Sequence, residues 1–218
     1  MSKKYCYDYP HPAVTTDIVV FTVKDRELHT LLIQRGIEPY KNCWAIPGGF
    51  VLENENIDLC ALRELAEETG VKNIKLRQLA AYGMPKRDPR GHVITIAYYA
   101  LIKADDISMK HGSDAADAKW FKIKELPELA FDHDIILNDA QKALSQGLYD
   151  LDNLTVFELL EDKFTIPELQ IYFEALSQKT FDRRNFSKKI KDVFPLQDTG
   201  DLRKNGPHRP SKIFQLAI

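Results

Sequence analysis

Cysteine is scarce: Cys6, Cys43 and Cys60 are the only three in 218 residues. An odd, scattered set without CxxC spacing argues against a disulfide framework and against a zinc site, so reduced thiols inside a cell are expected. Long hydrophobic runs are also missing. No apolar stretch approaches the roughly 20 residues that span a bilayer. The opening MSKKYCYDYPHPAV has no apolar core of the kind a secretory signal needs. Cytoplasm is therefore the expected compartment. An excess of one charge sign is absent too: 30 Lys and Arg face 32 Asp and Glu, for a net charge of −2, and the whole-chain balance names no partner. There is no internal repeat and no low-complexity tract. What remains is ordinary globular composition, 44% hydrophobic and 28% charged. The length suits one domain plus a small second one.

VTTDIVVFTV (14–23) reads as a buried strand, KDRELHT turns the chain, and LLIQR (31–35) returns it as a β-hairpin. WAIPGGF (44–50) predicts one short strand ending in a turn on Pro47-Gly48-Gly49. From Glu55 to about Thr69 the period becomes helical, with Ile57, Leu62 and Leu65 along one side and Gly70 where a C-cap glycine belongs. IKLRQLAAYGM and VITIAYYALI are expected strands joined by the polar loop PKRDPRGH (85–92). KWFKI (119–123) is another strand, and IILNDAQKALSQGL an amphipathic helix. Helices that fall outside a simple βαβ repeat predict an α+β first domain, residues 1–148. A second domain, 149–218, is expected to begin with the helix of TIPELQIYFEAL (165–176), capped by Thr165 with Pro167 in its first turn. A helix over 183–194, N-capped by Asp182, follows, and then two short strands around a Gly/Pro/basic turn. Helix, helix and basic-tipped hairpin is the order of a winged helix.

Glu64, Glu67 and Glu68 follow Arg63 on the first helix. Positions i, i+3 and i+4 share one face, and the like-charged pair Glu64/Glu68 costs an isolated helix about 0.2–0.5 kcal/mol. Two anions about 4 Å apart repel by several kcal/mol even at an effective dielectric near 20. A divalent cation reverses that repulsion, and Mg²⁺ takes carboxylate oxygens together with waters and phosphates. Glycines at 48 and 49 allow a backbone carbonyl to approach without a Cβ in the way, and Arg63 is placed to orient Glu64. For the helix by itself a solvated acidic face is the competing reading.

Gly49, five residues, Glu55, seven residues, then Arg63-Glu64-Leu65-Ala66-Glu67-Glu68-Thr69-Gly70-Val71 fill every fixed position of a 23-residue signature. The segment resembles the Nudix box of the Nudix hydrolase family, far more specific than a lone glycine motif. The resemblance implies an α/β/α sandwich around a mixed sheet and hydrolysis of a nucleoside diphosphate linked to another group, with Mg²⁺ or Mn²⁺. It implies Glu64, Glu67 and Glu68 as metal ligands, joined by the Gly48 carbonyl, and Glu55 as the residue holding Arg63. The general base is left open between a box glutamate and a loop carboxylate such as Asp114 or Asp117.

The loop 85–101 resembles that of Nudix enzymes and sensors handling ADP-ribose. Arg87 and Arg90 flank the rigid Asp88-Pro89 turn, and Arg35 ends a strand expected on the same side. Three guanidiniums near the box favour anion binding. Phe50 or Tyr82 is a candidate to stack on adenine, with core packing as the alternative for both and for Trp44. His133, in AFDHD, is a candidate pocket residue or a hydrogen-bonded structural histidine.

From Lys179 to Lys212, ten basic residues face four acids, a net +6 that leaves −8 for the rest. Such asymmetry points to a polyanion-binding face, the alternative being a basic helix docked on an acidic partner. Arg183, Arg184, Asn185, Lys188 and Lys189 open the second helix of the winged helix, where a recognition helix meets DNA. Arg209 is the candidate wing residue. KTFDRRNFSKKI and the late HRPSKIFQL, behind an ADP-ribose-type box, resemble the Nudix-related transcriptional regulators, which include ADP-ribose-responsive repressors of NAD biosynthesis and sugar-sensing relatives. That resemblance implies double-stranded DNA as a partner and a homodimer reading two half-sites. Many such regulators have a degraded box, whereas this one is whole. Catalysis is therefore the leading expectation, with a non-catalytic or weakly catalytic transcriptional regulator of NAD or sugar metabolism, answering to ADP-ribose or a sugar, as the alternative. A third reading, in which the C-terminal module only dimerises, predicts no DNA affinity.

Overall fold

Eight successive buried residues, Thr15 to Thr22, make the central strand of the fold, a run typical of strands covered on both faces. The computed structural model describes residues 7–103, 115–151, 155–204 and 210–217. In it β1 (Ala13–Lys24) forms a tight antiparallel hairpin with β2 (Glu27–Arg35) and runs parallel to β6 (Val93–Leu101). The sheet is completed by β3 (Trp44–Ala45) and β7 (Ala115–Lys122) on β2, β4 (Gly48–Phe50) on β1, and β5 (Arg77–Tyr82) on β6, all antiparallel. Parallel and antiparallel pairs make it the expected mixed sheet.

The pleat sends alternate β1 side chains to opposite faces. Ile18 and Val20 meet Ala61 and Leu65 of α1 (Ile57–Thr69), with Leu31, Tyr98 and Ile102. Val19 and Phe21 face Ile136, Leu137, Ala140 and Leu144 of α2 (His133–Gln146). This is the α/β/α sandwich. Asn56 caps α1 by accepting from Asp58 N, and Gly70 ends it at φ 78°, a left-handed conformation that suits glycine.

The segment 44–50 departs from expectation. It is two strands, and the glycines sit inside the second, with Gly48 opposite Asp17 and Gly49 opposite Thr16. The glycines serve close approach: a Cβ on Gly48 would strike the Thr16 carbonyl, and one on Gly49 the Glu64 carboxylate.

Beyond a 3₁₀ segment at Thr155–Leu159, the C-terminal part consists of β8 (Lys163–Thr165), α3 (Ile166–Ser177), α4 (Arg183–Val193), β9 (Leu196–Arg203) and β10 (Ser211–Leu216). Its small antiparallel sheet has the order β8-β10-β9. Strand β8 was not foreseen. Thr165 and Glu168 form a reciprocal capping box on α3, and Asp182 caps α4 through Asn185 N at 2.9 Å. Phe173 packs edge-on against Phe186 and Phe194 at the centre. Cys43 and Cys60 are free thiols. Among the described residues no helix is long and apolar enough to cross a membrane.

Candidate active site

Arg63 answers much of the carboxylate repulsion. Its Nε and Nη2 grip Glu55 at 2.7 and 2.8 Å, Nη1 donates to Glu64 Oε1 at 2.7 Å and Glu67 Oε2 at 3.2 Å, and Nη2 reaches the Phe50 carbonyl at 3.2 Å. One guanidinium therefore ties α1 to the loop before it by a bidentate pair and a backbone contact. This contact holds the Glu55 carboxyl down at about 2.

Glu68 sits differently. Its Oε2 accepts from Gly48 N at 2.9 Å, so β4 and α1 are pinned together at the glycines. Burial is the main reason that its carboxyl is pushed up to about 8. The Gly48 hydrogen bond opposes the shift, and the negative charges of Glu64 and Asp17 add to it. Glu64 is also raised, chiefly by burial, against the pull of Arg63. Both line a cavity of about 260 Å³ with Gly48, Gly49, Asp17 and Thr15. Glu67 is not in that lining; its side chain is 57% exposed and turned toward Arg63.

Above these carboxylates the cavity wall is cationic and aromatic. Arg35 lies over the Phe131 ring at 4.8 Å, and Arg90 lies between Phe50 at 4.9 Å and Phe131 at 5.5 Å. Burial, and then the like charge of Arg90, lower the affinity of Arg35 for its proton. Two guanidiniums converging on one ring form a site that an anion would relieve. Arg90 is also held by Asp88, which it meets at 2.6 Å. Arg87 lines the same cavity, but its charge is engaged: it makes a bidentate pair with Asp132 at 2.9 and 2.6 Å.

All four candidates for the substrate, Arg35, Phe50, Arg87 and Arg90, thus come together, as do Gly48, Glu64 and Glu68. Glu55 and Arg63 stand behind them. Tyr82 does not join; its hydroxyl donates to Asp139 at 3.3 Å. Trp44 packs on Phe121. Asp117 accepts from the Ala118 backbone and lies outside the cavity lining, and Asp114 lies outside the described residues. His133 is both structural and in the pocket: its Nδ1 accepts from Ile46 N at 2.9 Å, and burial lowers its pKa, keeping it neutral. Sequence reasoning missed Asp17 and Phe131. Phe131 adopts φ 57°, an uncommon conformation for a bulky residue and a signal visible only in the backbone.

The carboxylate oxygens and the cradle that a Cβ would fill match a hard divalent cation. Among the described residues no three His, Cys, Asp or Glu side chains already surround one point. A Mg²⁺-type site does not require that, because water and phosphate complete its shell.

On α4, Arg183, Arg184, Asn185 and Lys188 are exposed, while Phe186 and Ile190 are buried. Lys189 lies 3.6 Å over the Tyr149 ring. Arg209 lies outside the described residues.

A NUDIX domain model matches residues 11–140, and an NrtR DNA-binding winged helix domain model matches residues 156–216. The ADPR responsive transcriptional repressor NtrR of Acinetobacter baylyi is 34% identical over 222 residues, covering 97% of this chain and 84% of that one. An ADP-ribose pyrophosphatase of Methanocaldococcus jannaschii is 42% identical over 137 residues, 63% of this chain and 77% of its own. The crystal structure of Shewanella oneidensis NrtR complexed with a 27mer DNA has a TM-score of 0.76 at 33% identity, covering 94% of this chain and 93% of that one. The box geometry around Arg63 and the two matched models agree, and the chain belongs to the Nudix family, with an NrtR-type winged helix domain following its Nudix domain.

Proposed function

We propose that this chain hydrolyses the diphosphate of ADP-ribose, with water, to AMP and ribose 5-phosphate, or cleaves the diphosphate of a closely related nucleoside diphosphate derivative in the same way. The observation that carries the reading is the pairing of buried Glu68 and Glu64 with a two-arginine, two-phenylalanine wall across one small cavity. Arg35 and Arg90 receive the diphosphate. Phe50 and Phe131 offer faces to a planar base once Arg90 turns from between them to phosphate. Glu64, Glu68 and the Gly48 carbonyl hold a divalent cation, Mg²⁺ or Mn²⁺, with Glu67 at the rim, and Arg63 on Glu55 keeps Glu64 in place. When bound, the cation supplies charge neutralisation at the diphosphate and a more acidic water. Arg87, locked on Asp132, shapes the wall.

The experiment is cleavage of ADP-ribose, NADH, sugar nucleotides and nucleoside triphosphates by purified protein with Mg²⁺. ADP-ribose is expected to be the preferred substrate. Glu68→Gln is expected to lose activity by on the order of 10²-fold or more, the scale on which one preorganised electrostatic group acts. Full activity in Glu68→Gln would remove the carboxylate assignment.

A second reading stands beside the first because α4 carries exposed Arg183, Arg184, Asn185 and Lys188 on a helix capped at its N-terminus. In it the winged helix, residues 149–218, reads duplex DNA as a homodimer in the cytoplasm, and ADP-ribose in the Nudix domain, residues 1–148, alters that binding. Arg209 and Lys189 are the further DNA contacts in this reading, Lys189 leaving Tyr149 to reach phosphate.

A further inference from the structure

Asp17 is a carboxylate without an assigned task. It lies on β1 opposite Gly48, is 7% exposed, and faces the active-site cavity. Among the described residues the nearest side-chain nitrogens to its oxygens lie at 3.7 Å, Arg87 Nη2 from Oδ2 and His133 Nε2 from Oδ1. Neither is within hydrogen-bond distance. Arg87 gives its bidentate contact to Asp132, and His133, a neutral imidazole whose Nδ1 accepts from Ile46, turns its Nε2–H toward Oδ1 without closing a hydrogen bond. A carboxylate this buried and this poorly bonded is costly unless something completes it. The cavity side is open to that partner.

The geometry at Gly48 says what kind of partner. A Cβ built there would lie 2.8 Å from Asp17 Oδ1, while Gly48 N donates to Glu68 Oε2 at 2.9 Å. Asp17 and Glu68 thus approach one glycine from two different elements, β1 and α1. Two carboxylates drawn to one bare stretch of backbone, in a cavity that also holds Glu64, are matched by a small, hard cation and by no anionic group.

We propose that Asp17 is a further oxygen donor to the divalent cation of the site, directly or through one bound water, and so belongs to its binding set although it lies outside the box. The inference rests on the proposed cation site, and the test separates the two. Mn²⁺ binding to the full-length, metal-stripped protein is measured by titration calorimetry and by the loss of the free-ion electron paramagnetic resonance signal. Asp17→Asn keeps size and shape and is expected to weaken Mn²⁺ binding about tenfold or more, the scale of such losses at metal sites. Arg87→Gln removes the nearest positive charge and is expected to leave Mn²⁺ binding equal or tighter. Had Asp17 served only to accompany Arg87, neither variant would move Mn²⁺ affinity. Unchanged affinity in a folded Asp17→Asn, with affinity lost in Glu68→Gln, overturns the proposal and leaves the cation site standing. No Mn²⁺ binding by the unaltered protein overturns both. Should Asp17→Asn not fold, weaker binding in Arg87→Gln overturns the proposal on its own.

Discussion

At the residue scale the site is organised by one arginine. Arg63 spends its donors on Glu55, Glu64, Glu67 and the Phe50 carbonyl, so the acidic face of α1 coexists with a stable fold before any cation arrives. The pair has a pH signature. Arg63 holds the Glu55 carboxyl down at about 2, against an ordinary value of 4.5. A depressed carboxyl binds its proton less readily in the folded chain than in the unfolded one. Its stabilisation is therefore present above about pH 4.5 and is lost as pH falls through about 2. Glu55→Gln should be less stable than the unaltered protein at pH 7, with the gap narrowing through that window, as read by urea unfolding at a series of pH values. A gap constant from pH 7 to pH 2 would mean that Arg63 gains nothing from the Glu55 charge. The box residues and Arg35, Phe50, Arg87 and Arg90 were legible because motif spacing and residue type carry their signal. Asp17 and Phe131 were not. Asp17 lies within VTTDIVVF, where the pattern announces only a buried strand, and its inward aim depends on pairing with Gly48 some thirty residues away. Phe131 acts through a backbone conformation that composition does not encode.

At the element scale, capping made most of the helices readable. Gly70 ends α1, Thr165 opens α3 and Asp182 opens α4, each as read from sequence, while the Asn56 cap and the Glu168 half of the capping box came only with the structure. Short strands were harder. β8 has three residues and exists because β10 offers it an edge, and β3 and β4 split because they pair with different neighbours, β2 and β1. Such pairings are tertiary facts with little local trace. Helix α4 divides cleanly by face. Phe186 and Ile190, four apart, are buried, and Arg184 and Lys188, also four apart, are exposed. If that exposed stripe meets DNA phosphate, Arg184→Ala and Lys188→Ala should each weaken duplex binding across all sequences. Each should also reduce the slope of log affinity against log salt by about one. Fluorescence anisotropy with a labelled duplex at several salt concentrations measures both. An unchanged slope would assign the stripe to a protein partner instead.

At the scale of the whole molecule, the two domains share a core. Phe21, Leu32 and Ile136 of the Nudix domain belong to the same buried cluster as Leu169, Phe173 and Phe214 of the winged helix. Ion pairs reinforce the junction: Arg77 on β5 meets Glu158 of the 3₁₀ segment at 2.7 Å, and Lys103 meets Glu161 at 3.1 Å. The Arg77 side chain is only 11% exposed, so this pair is less screened than an ordinary surface one. β5 pairs with β6, which lies beside β1, and β1 carries the floor of the cavity. A ligand that shifts the cavity therefore has a contiguous route to the segment that enters the winged helix, and coupling between two sites is typically about 5–150-fold in affinity. If the winged helix reads DNA and the cavity takes ADP-ribose, as in the second reading above, ADP-ribose should change the DNA dissociation constant of the unaltered protein within that range. In Arg77→Ala the change should shrink toward none, while each ligand taken alone still binds. Duplex titrations with and without ADP-ribose in both proteins decide the matter: an undiminished ADP-ribose effect in Arg77→Ala would mean that the shared apolar core, and not the ion pair, carries the coupling.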